Sequence, residues 1–420
     1  MSTSAFRRAH SALQLIGSQL PYQVTRSIPS FFEVERGLCL SLRGGRSVHF
    51  SPRSVGPDIA ADYRFVQLDQ VQTPALLLNM DALERNLAKM AKLARDGGKA
   101  LRPHSKTHKS PVIATKQLAL GAVGICTAKV GEAEIMVANG IDDVLITSEP
   151  VPRNMDRFIA LAAKAKIAAT VDDAEIAREL GRRASARGIE IAILVDVNVG
   201  QERTGVDAGP DVVRLVELVC KTKGLRFAGL QGYEGHLQSR MPETERRALA
   251  RAAYDRLADT KVLIQDAGIA VPKITTAGTG TARFAVEHAA VNEIQPGSYC
   301  VMDSSYGAVE PSFENALFIL TSVLSVNRRD ALVVDAGWKA ASTDSGIPKV
   351  KDHPEATYKE AGDEHGKIAG LAGTHRAGDV VWLVPSHCDT TINLYDKYTL
   401  VRDDDTVEGE LAIATRGKSA

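Results

Sequence analysis

Several short segments hold the residues whose types and spacing could do chemistry. In LRPHSKTHKS, residues 101–110, His104, Lys106 and His108 follow one another at two-residue spacing. Residues two apart share a face of an extended backbone, and Pro103 biases Arg102 toward extended geometry and marks a strand's end. A lysine there can form a Schiff base with a carbonyl group if neighbouring positive charge or partial burial lowers its pKa. VDVNVGQERTGV, residues 195–206, carries Arg203, and GLQGYEGHLQS, residues 229–239, carries Tyr233, Glu234 and His236. In TTAGTGTARF, residues 275–284, Gly278 and Gly280 permit close approach of backbone N–H groups to an anion, and Thr279 and Thr281 add hydroxyls. That run fits neither the dinucleotide fingerprint nor the Walker A spacing. In VPSHCDTTINLYD, residues 384–396, an extended backbone would point His387 and Asp389 to one side and Cys388 to the other. An N/O pair of this kind can hold a divalent cation with water or substrate completing the shell, and suits manganese or magnesium at least as well as zinc. Each cluster taken singly also reads as an ordinary polar loop.

The elements that must position these residues follow a βα rhythm. Candidate strands are Lys99–Pro103, Val123–Thr127, Asp143–Ile146, Lys166–Thr170, Ile189–Asn198, Arg226–Tyr233, Val271–Thr276 and Glu293–Gln295. Helical segments lie between them, around Pro111–Leu120, Lys129–Ala138, Asn154–Lys164, Asp173–Arg183, Pro210–Lys221 and Glu243–Lys261. Eight such units predict a closed (β/α)8 barrel, with an open doubly wound sheet as the alternative if one strand fails. In the barrel the polar clusters fall at the C-terminal strand ends, where active sites of this architecture lie. From residue 306 the rhythm stops. LFILTSVLSV, DALVVDAG, DVVWLVPS, INLYD and GELAIATRG, separated by turn-forming residues, predict a second, mostly β domain over 306–420. Ala75–Leu78 is a short strand without a place among the eight, so it is expected to cross into that domain. Asn79 or Asp81 caps the helix after it, whose Leu83, Leu87, Met90 and Leu93 form one buried stripe.

Composition narrows the function classes. The 420 residues carry 51 Lys+Arg and 51 Asp+Glu, so the chain as a whole has no electrostatic attraction for nucleic acid or an anionic membrane. No apolar run approaches the ~20 residues that span a bilayer. Cys39, Cys126, Cys220, Cys300 and Cys388 are far apart and form no CxxC, which suggests neither a disulfide framework nor a zinc module. Residues 1–57 hold seven Arg, no Lys, ten Ser and only Glu33 and Glu35 as acids, a local charge of +5. Such a start has the composition of an organellar transit segment, for mitochondrion or chloroplast, or else of a basic tail. Residues 1–60 are therefore kept apart from the fold, and residues 58–420 carry about −5.

Taken together, TPALLLNMDALERNLAKM, LRPHSKTHK, VDVNVGQERTGV, GLQGYEGH, AGTGT, EIQPGSYCVMD, VVDAGWK, DEHG and PSHCDTTINLYD resemble, in order, segments of the fold-type III pyridoxal-phosphate enzymes of the D-threonine aldolase and D-serine dehydratase family. The resemblance covers roughly 73–396. It implies a TIM barrel of the alanine racemase N-terminal type over 73–305, joined to a β domain, with pyridoxal 5'-phosphate held between them. It implies that Lys106 carries the cofactor, that Arg203 bonds its phenolic oxygen, and that Tyr233 contacts its pyridine ring or ring nitrogen. Gly278, Thr279 and Gly280 would cradle its phosphate with help from Tyr299, and His387 and Asp389 would hold a divalent metal, manganese or magnesium rather than zinc. Dehydratases of this family carry His-x-Cys and use zinc, whereas its aldolases carry His-x-Asp, as here. The resemblance thus favours retro-aldol cleavage of D-threonine and related small D-β-hydroxy-α-amino acids to glycine and an aldehyde, by a homodimer. Dehydration of D-serine or D-threo-3-hydroxyaspartate is the first alternative, and a non-catalytic pyridoxal-phosphate-binding protein the second. Many family aldolases have YHG where this chain has Tyr233-Glu234-Gly235, so the base is sought in Glu234, His236, His387 or a metal-bound hydroxide.

Overall fold

A computed structural model describes residues 67–238 and 242–420, together with two short strands, Cys39–Leu42 and Arg46–His49, which pair antiparallel. The chain divides into compact units 1–60 and 61–420. Apart from those two strands, the basic extension and the targeting character read from it lie outside the described residues. No helix among the described residues is long and apolar enough to cross a membrane.

All eight expected strands form: β1 (Ala100–Leu101), β2 (Ile125–Thr127), β3 (Asp143–Ile146), β4 (Lys166–Val171), β5 (Ile191–Asn198), β6 (Leu225–Gln231), β7 (Ile274–Thr276) and β8 (Glu293–Ile294). They are parallel and run in the order β1-β8-β7-β6-β5-β4-β3-β2. The remaining seam is closed just beyond β1, where Cys126 N–H donates to Pro103 O at 2.8 Å and Ser105 N–H to Cys126 O at 2.8 Å. The alternative of an open sheet is thereby removed. Small side chains let the barrel close on itself, with Cys126, Leu145 and Leu194 packed together against Ala168 and Ala228. The outer faces of the strands carry Val, Ile and Leu against the helix ring, as a sheet covered on both sides requires.

One charged network lies inside this frame. Arg102, at the end of β1, pairs with Asp143 at 2.7 Å and with Glu293 of β8 at 3.2 Å, and Lys273 reaches Glu293 at 2.9 Å. Arg102 and Glu293 are buried. Removing one partner of a buried pair leaves an uncompensated charge at a cost of about 3–5 kcal/mol. Because Arg102 keeps Asp143, Glu293→Ala is expected to destabilise the fold by up to about that amount in denaturant titration, and a loss under about 1 kcal/mol would show that Asp143 alone satisfies Arg102.

The β domain takes the strand Ala75–Asn79 into its sheet. It runs antiparallel to Leu317–Leu320 and parallel to Thr399–Val401, so the segment before the barrel is also a central strand of the second domain. Asn79 caps the helix Met80–Asp96 by accepting from Ala82 N at 2.8 Å, while Asp81 instead receives Arg402 at 2.8 Å. Of the expected β segments, INLYD is not a strand. Ile392 closes a short helix, Cys388–Ile392, and the strand begins afterwards at Lys397–Val401. The extended geometry expected for His387–Asp389 is corrected with it, because the chain turns helical directly after His387. Its first N–H, from Cys388, is held by Asp303 Oδ2 at 2.8 Å.

Candidate active site

Lys106 stands in the turn after β1, where the seam bonds fix the backbone. Its Nζ lies 3.7 Å from Asp389 Oδ2. Two adjoining cavities, of about 500 and 470 Å³, share Lys106, Arg203, Tyr233 and Tyr306 in their walls. The first extends from Lys106 to the turns Gly278–Thr279 and Gly297–Ser298, and the second from Lys106 to His387 and Asp389. The lysine thus sits at the junction of an anion-type cradle and an imidazole–carboxylate pair, brought together by the barrel mouth and the β domain.

The electrostatics correct one expectation. Burial works to lower the Lys106 pKa, but Asp389 and then Tyr233 offset it, and the ammonium stands above its ordinary range. Burial likewise works to raise Asp389, yet Lys106 and His387 hold it below the usual carboxylate range. Lys106 and Asp389 are therefore an ion pair before any ligand arrives. Burial keeps the His104 imidazole well below the usual histidine range, so it is neutral at pH 7, with Nε2 3.1 Å from Thr147 Oγ1. The Arg203 guanidinium lies over the Tyr233 ring at 5.7 Å, a cation–π contact that ties the end of β6 to the loop after β5.

The Gly/Thr turn is a built cradle at two of its three expected positions. A Cβ on Gly278 would stand 2.4 Å from Gln238 Oε1, so a larger residue there would have to displace the Gln238 side chain. Gly278 and Thr279 line the first cavity, but Gly280 stands behind it with its N–H donated to Gln238 Oε1 at 2.9 Å. Tyr299 is also displaced from its expected role. Its side chain is fully buried, with the phenol oxygen accepting from Gln117 Nε2 at 3.1 Å, and only its backbone N–H serves the turn, donating to Thr279 Oγ1 at 2.9 Å.

Neither of the two expected bases at the end of β6 reaches the cavity walls. Glu234 is fully buried and accepts from Tyr254 Oη at 2.9 Å, Thr276 Oγ1 at 2.9 Å and Thr281 Oγ1 at 2.5 Å. Thr281 Oγ1 in turn accepts from Gly278 N–H at 3.2 Å. Glu234 is thus a structural carboxylate that holds the cradle from behind. His236 is exposed, with its ring beside Gly200. Three hydroxyl donors left unsatisfied cost about 1–3 kcal/mol each. Glu234→Ala is accordingly expected to lower the thermal midpoint by several degrees and to weaken cofactor retention. If stability is unchanged while turnover disappears, Glu234 has the chemical role denied to it here.

Three further groups belong to the site. Asp303 joins its two halves, with Oδ1 accepting from Tyr306 N–H and Oδ2 from Cys388 N–H, each at 2.8 Å. The Asp303-Ser-Ser-Tyr306 run carries an N-cap signal that could have revealed it. Tyr306 lines both cavities. Asp344 meets His387, its Oδ2 lying 2.6 Å from Nδ1, across 43 residues of sequence that show no local link. Among the described residues no three His, Cys, Asp or Glu side chains converge as a metal cage, so His387 and Asp389 form at most a two-ligand site that water or substrate must complete.

This geometry can be compared with known proteins. The alanine racemase N-terminal domain profile matches residues 78–305, and a serine dehydratase domain profile matches residues 316–401. The chain belongs to the fold-type III pyridoxal-phosphate family. It is 40% identical to a D-threonine aldolase of Arthrobacter sp, over 84% of this chain and 94% of that one. It is 37% identical to a 3-hydroxy-D-aspartate aldolase of Paracoccus denitrificans, over 88% and 98% respectively. The crystal structure of a D-threonine aldolase from Filomicrobium marinum superposes with a TM-score of 0.83 at 41% identity, covering 85% of this chain and 99% of that one. As a fold-type III enzyme the chain takes pyridoxal phosphate, and the first cavity fits that group. It offers a lysine, an arginine over a tyrosine, and the Gly278–Thr279 turn with its hydroxyl in the wall.

Proposed function

We propose that this enzyme is a carbon–carbon lyase that cleaves D-threonine and related D-β-hydroxy-α-amino acids to glycine and an aldehyde. The observation that carries the reading is the position of Lys106 between the cradle and the His387–Asp389 pair. When bound, pyridoxal phosphate supplies the carbonyl that captures the substrate amine and the electron sink for the pair left on Cα, and a divalent cation supplies a Lewis acid at the β-hydroxyl.

The chain's own residues then do the following. Thr279 would meet the phosphate with its hydroxyl, and Gly278, whose N–H is donated to Thr281 Oγ1, would offer the open face of its backbone. Arg203, stacked on Tyr233, would bond the cofactor's phenolic oxygen. Lys106 would carry the cofactor and give it up to the substrate amine, and Asp389 is the carboxylate that holds the lysine's proton. His387 and Asp389 would hold the cation on the side of the second cavity, and there would orient the substrate's β-hydroxyl. With Glu234 engaged, His236 off the wall and both ring nitrogens of His387 committed, removal of the β-hydroxyl proton would fall to Asp389, which keeps a second carboxylate oxygen. The residues of the second cavity, His387 and Asp389 among them, would orient the substrate's β-substituent and so select the Cα–Cβ bond.

The dehydratase alternative finds less support in the metal segment. Cys388 is fully buried and absent from both cavity walls, whereas Asp389 lines the second. The test is a panel of D-threonine, D-phenylserine, D-serine and both D-3-hydroxyaspartates, with and without chelator. Glycine and aldehyde, lost on chelation, are expected, whereas ammonia with a 2-oxo acid as the main products would favour dehydration. Manganese or magnesium as the ion, a homodimeric enzyme, and a mitochondrial or chloroplast address on the first 60 residues complete the proposal. The first two rest on the family likeness and the third on the basic composition of that segment.

A further inference from the structure

We infer that Asp344 is a positioning residue for the metal site, holding the His387 ring so that Nε2 is presented to a divalent cation. This rests on the reading that His387 and Asp389 hold that ion. An imidazole that donates Nδ1–H to a carboxylate keeps its lone pair on Nε2, and such a partner fixes both the tautomer and the orientation of a ligating ring. His387 Nδ1 lies 2.6 Å from Asp344 Oδ2. Asp344 is itself held in place. Its Oδ1 accepts from Ser342 Oγ at 2.6 Å and from Thr390 Oγ1 at 2.8 Å, and its Oδ2 from Ser345 Oγ at 3.3 Å.

The turn that carries Asp344 is docked on the metal segment as a unit. Ser386 Oγ donates to Ser342 O at 3.1 Å, and Ser342 N–H reaches Thr391 Oγ1 at 3.4 Å. Asp344 is absent from both cavity walls, whereas His387 lines the second. It therefore acts through the histidine rather than as a third ligand. A two-ligand site depends heavily on such support, because a ring free to rotate leaves Asp389 as its only fixed donor.

The test is titration of the cofactor-loaded enzyme with Mn²⁺, free ion being read by electron paramagnetic resonance, alongside cofactor absorbance and thermal midpoint. Loss of an outer carboxylate partner weakens metal binding about 10–100-fold. Because His387 and Asp344 are both partly exposed, Asp344→Ala is expected near the lower end, about tenfold, with bound cofactor unchanged and turnover restored at saturating Mn²⁺. Thr390→Val, which removes one donor to Asp344, should move affinity less and in the same direction, and it decides the matter if Asp344→Ala does not fold. His387→Ala is the reference. If it loses Mn²⁺ while the Asp344 and Thr390 variants bind within twofold of the parent, the positioning role is overturned and His387 remains a ligand. If His387→Ala binds Mn²⁺ like the parent, the underlying metal assignment fails, and the role of Asp344 fails with it.

Discussion

Lys106→Ala is expected to abolish D-threonine cleavage, by a factor on the order of 10³ or more, and to remove the visible absorbance of lysine-linked cofactor. The size follows from place as well as chemistry. Lys106 is common to both cavities, so no other amine lines the cradle and the His387–Asp389 pair at once. Lys129 also lines the first cavity but is absent from the second. The substitution also leaves Asp389 without its partner at 3.7 Å, so an accompanying rise in the Asp389 pKa is expected. Pyridoxal phosphate should still bind, held by Arg203 and the Gly278–Thr279 turn, with the spectrum of the free aldehyde. If lysine-linked absorbance persists in the variant, another lysine carries the cofactor.

The second large effect belongs to the metal pair. His387→Ala and Asp389→Ala should each lower turnover on the order of 10³-fold, which corresponds to the several kcal/mol that a Lewis acid contributes at a developing alkoxide. Chelation of the parent enzyme should do the same and be reversed by added Mn²⁺ or Mg²⁺, whereas neither variant should recover. The two variants are expected to differ in their spectra. Asp389 is the counter-ion of Lys106 and His387 is not, so only Asp389→Ala should change the state of the lysine. Turnover indifferent to complete metal removal would contradict this part of the mechanism, and so would loss of cofactor in His387→Ala.

Much of the architecture was legible because the barrel repeats one unit. Asp143–Ile146 and Pro210–Lys221 form with the boundaries expected from apolar pattern and flanking turn residues. Elements lacking such a signal were hidden. The helix Cys388–Ile392 has five residues, too few for a helical period to show, and its Thr-Thr-Ile composition favours strand. The site residues divide in the same way. Lys106, Arg203, Tyr233, Gly278 and Thr279 line the cavities from the strand ends of the barrel, and His387 and Asp389 line the second although the segment that carries them is helical from Cys388 rather than extended. Glu234 and Tyr299 do not, because side-chain direction just past a strand is set by contacts distant in sequence. Tyr254 and Thr281 draw Glu234 behind the cradle, and Gln117 donates to the Tyr299 phenol oxygen in the core. Asp344 was invisible for a related reason, since only the folded β domain brings residue 344 to residue 387.

The central claim is that Cα–Cβ breaks while the substrate's Cα–H survives. It is tested most directly by mass spectrometry of the products formed from D-threonine in D₂O during early turnover. The account predicts acetaldehyde in equal amount with glycine that carries a single carbon-bound deuterium, taken from solvent when Cα is protonated. Ammonia with 2-oxobutanoate, or glycine deuterated twice from the first turnovers, would mean that Cα–H is the bond this site attacks.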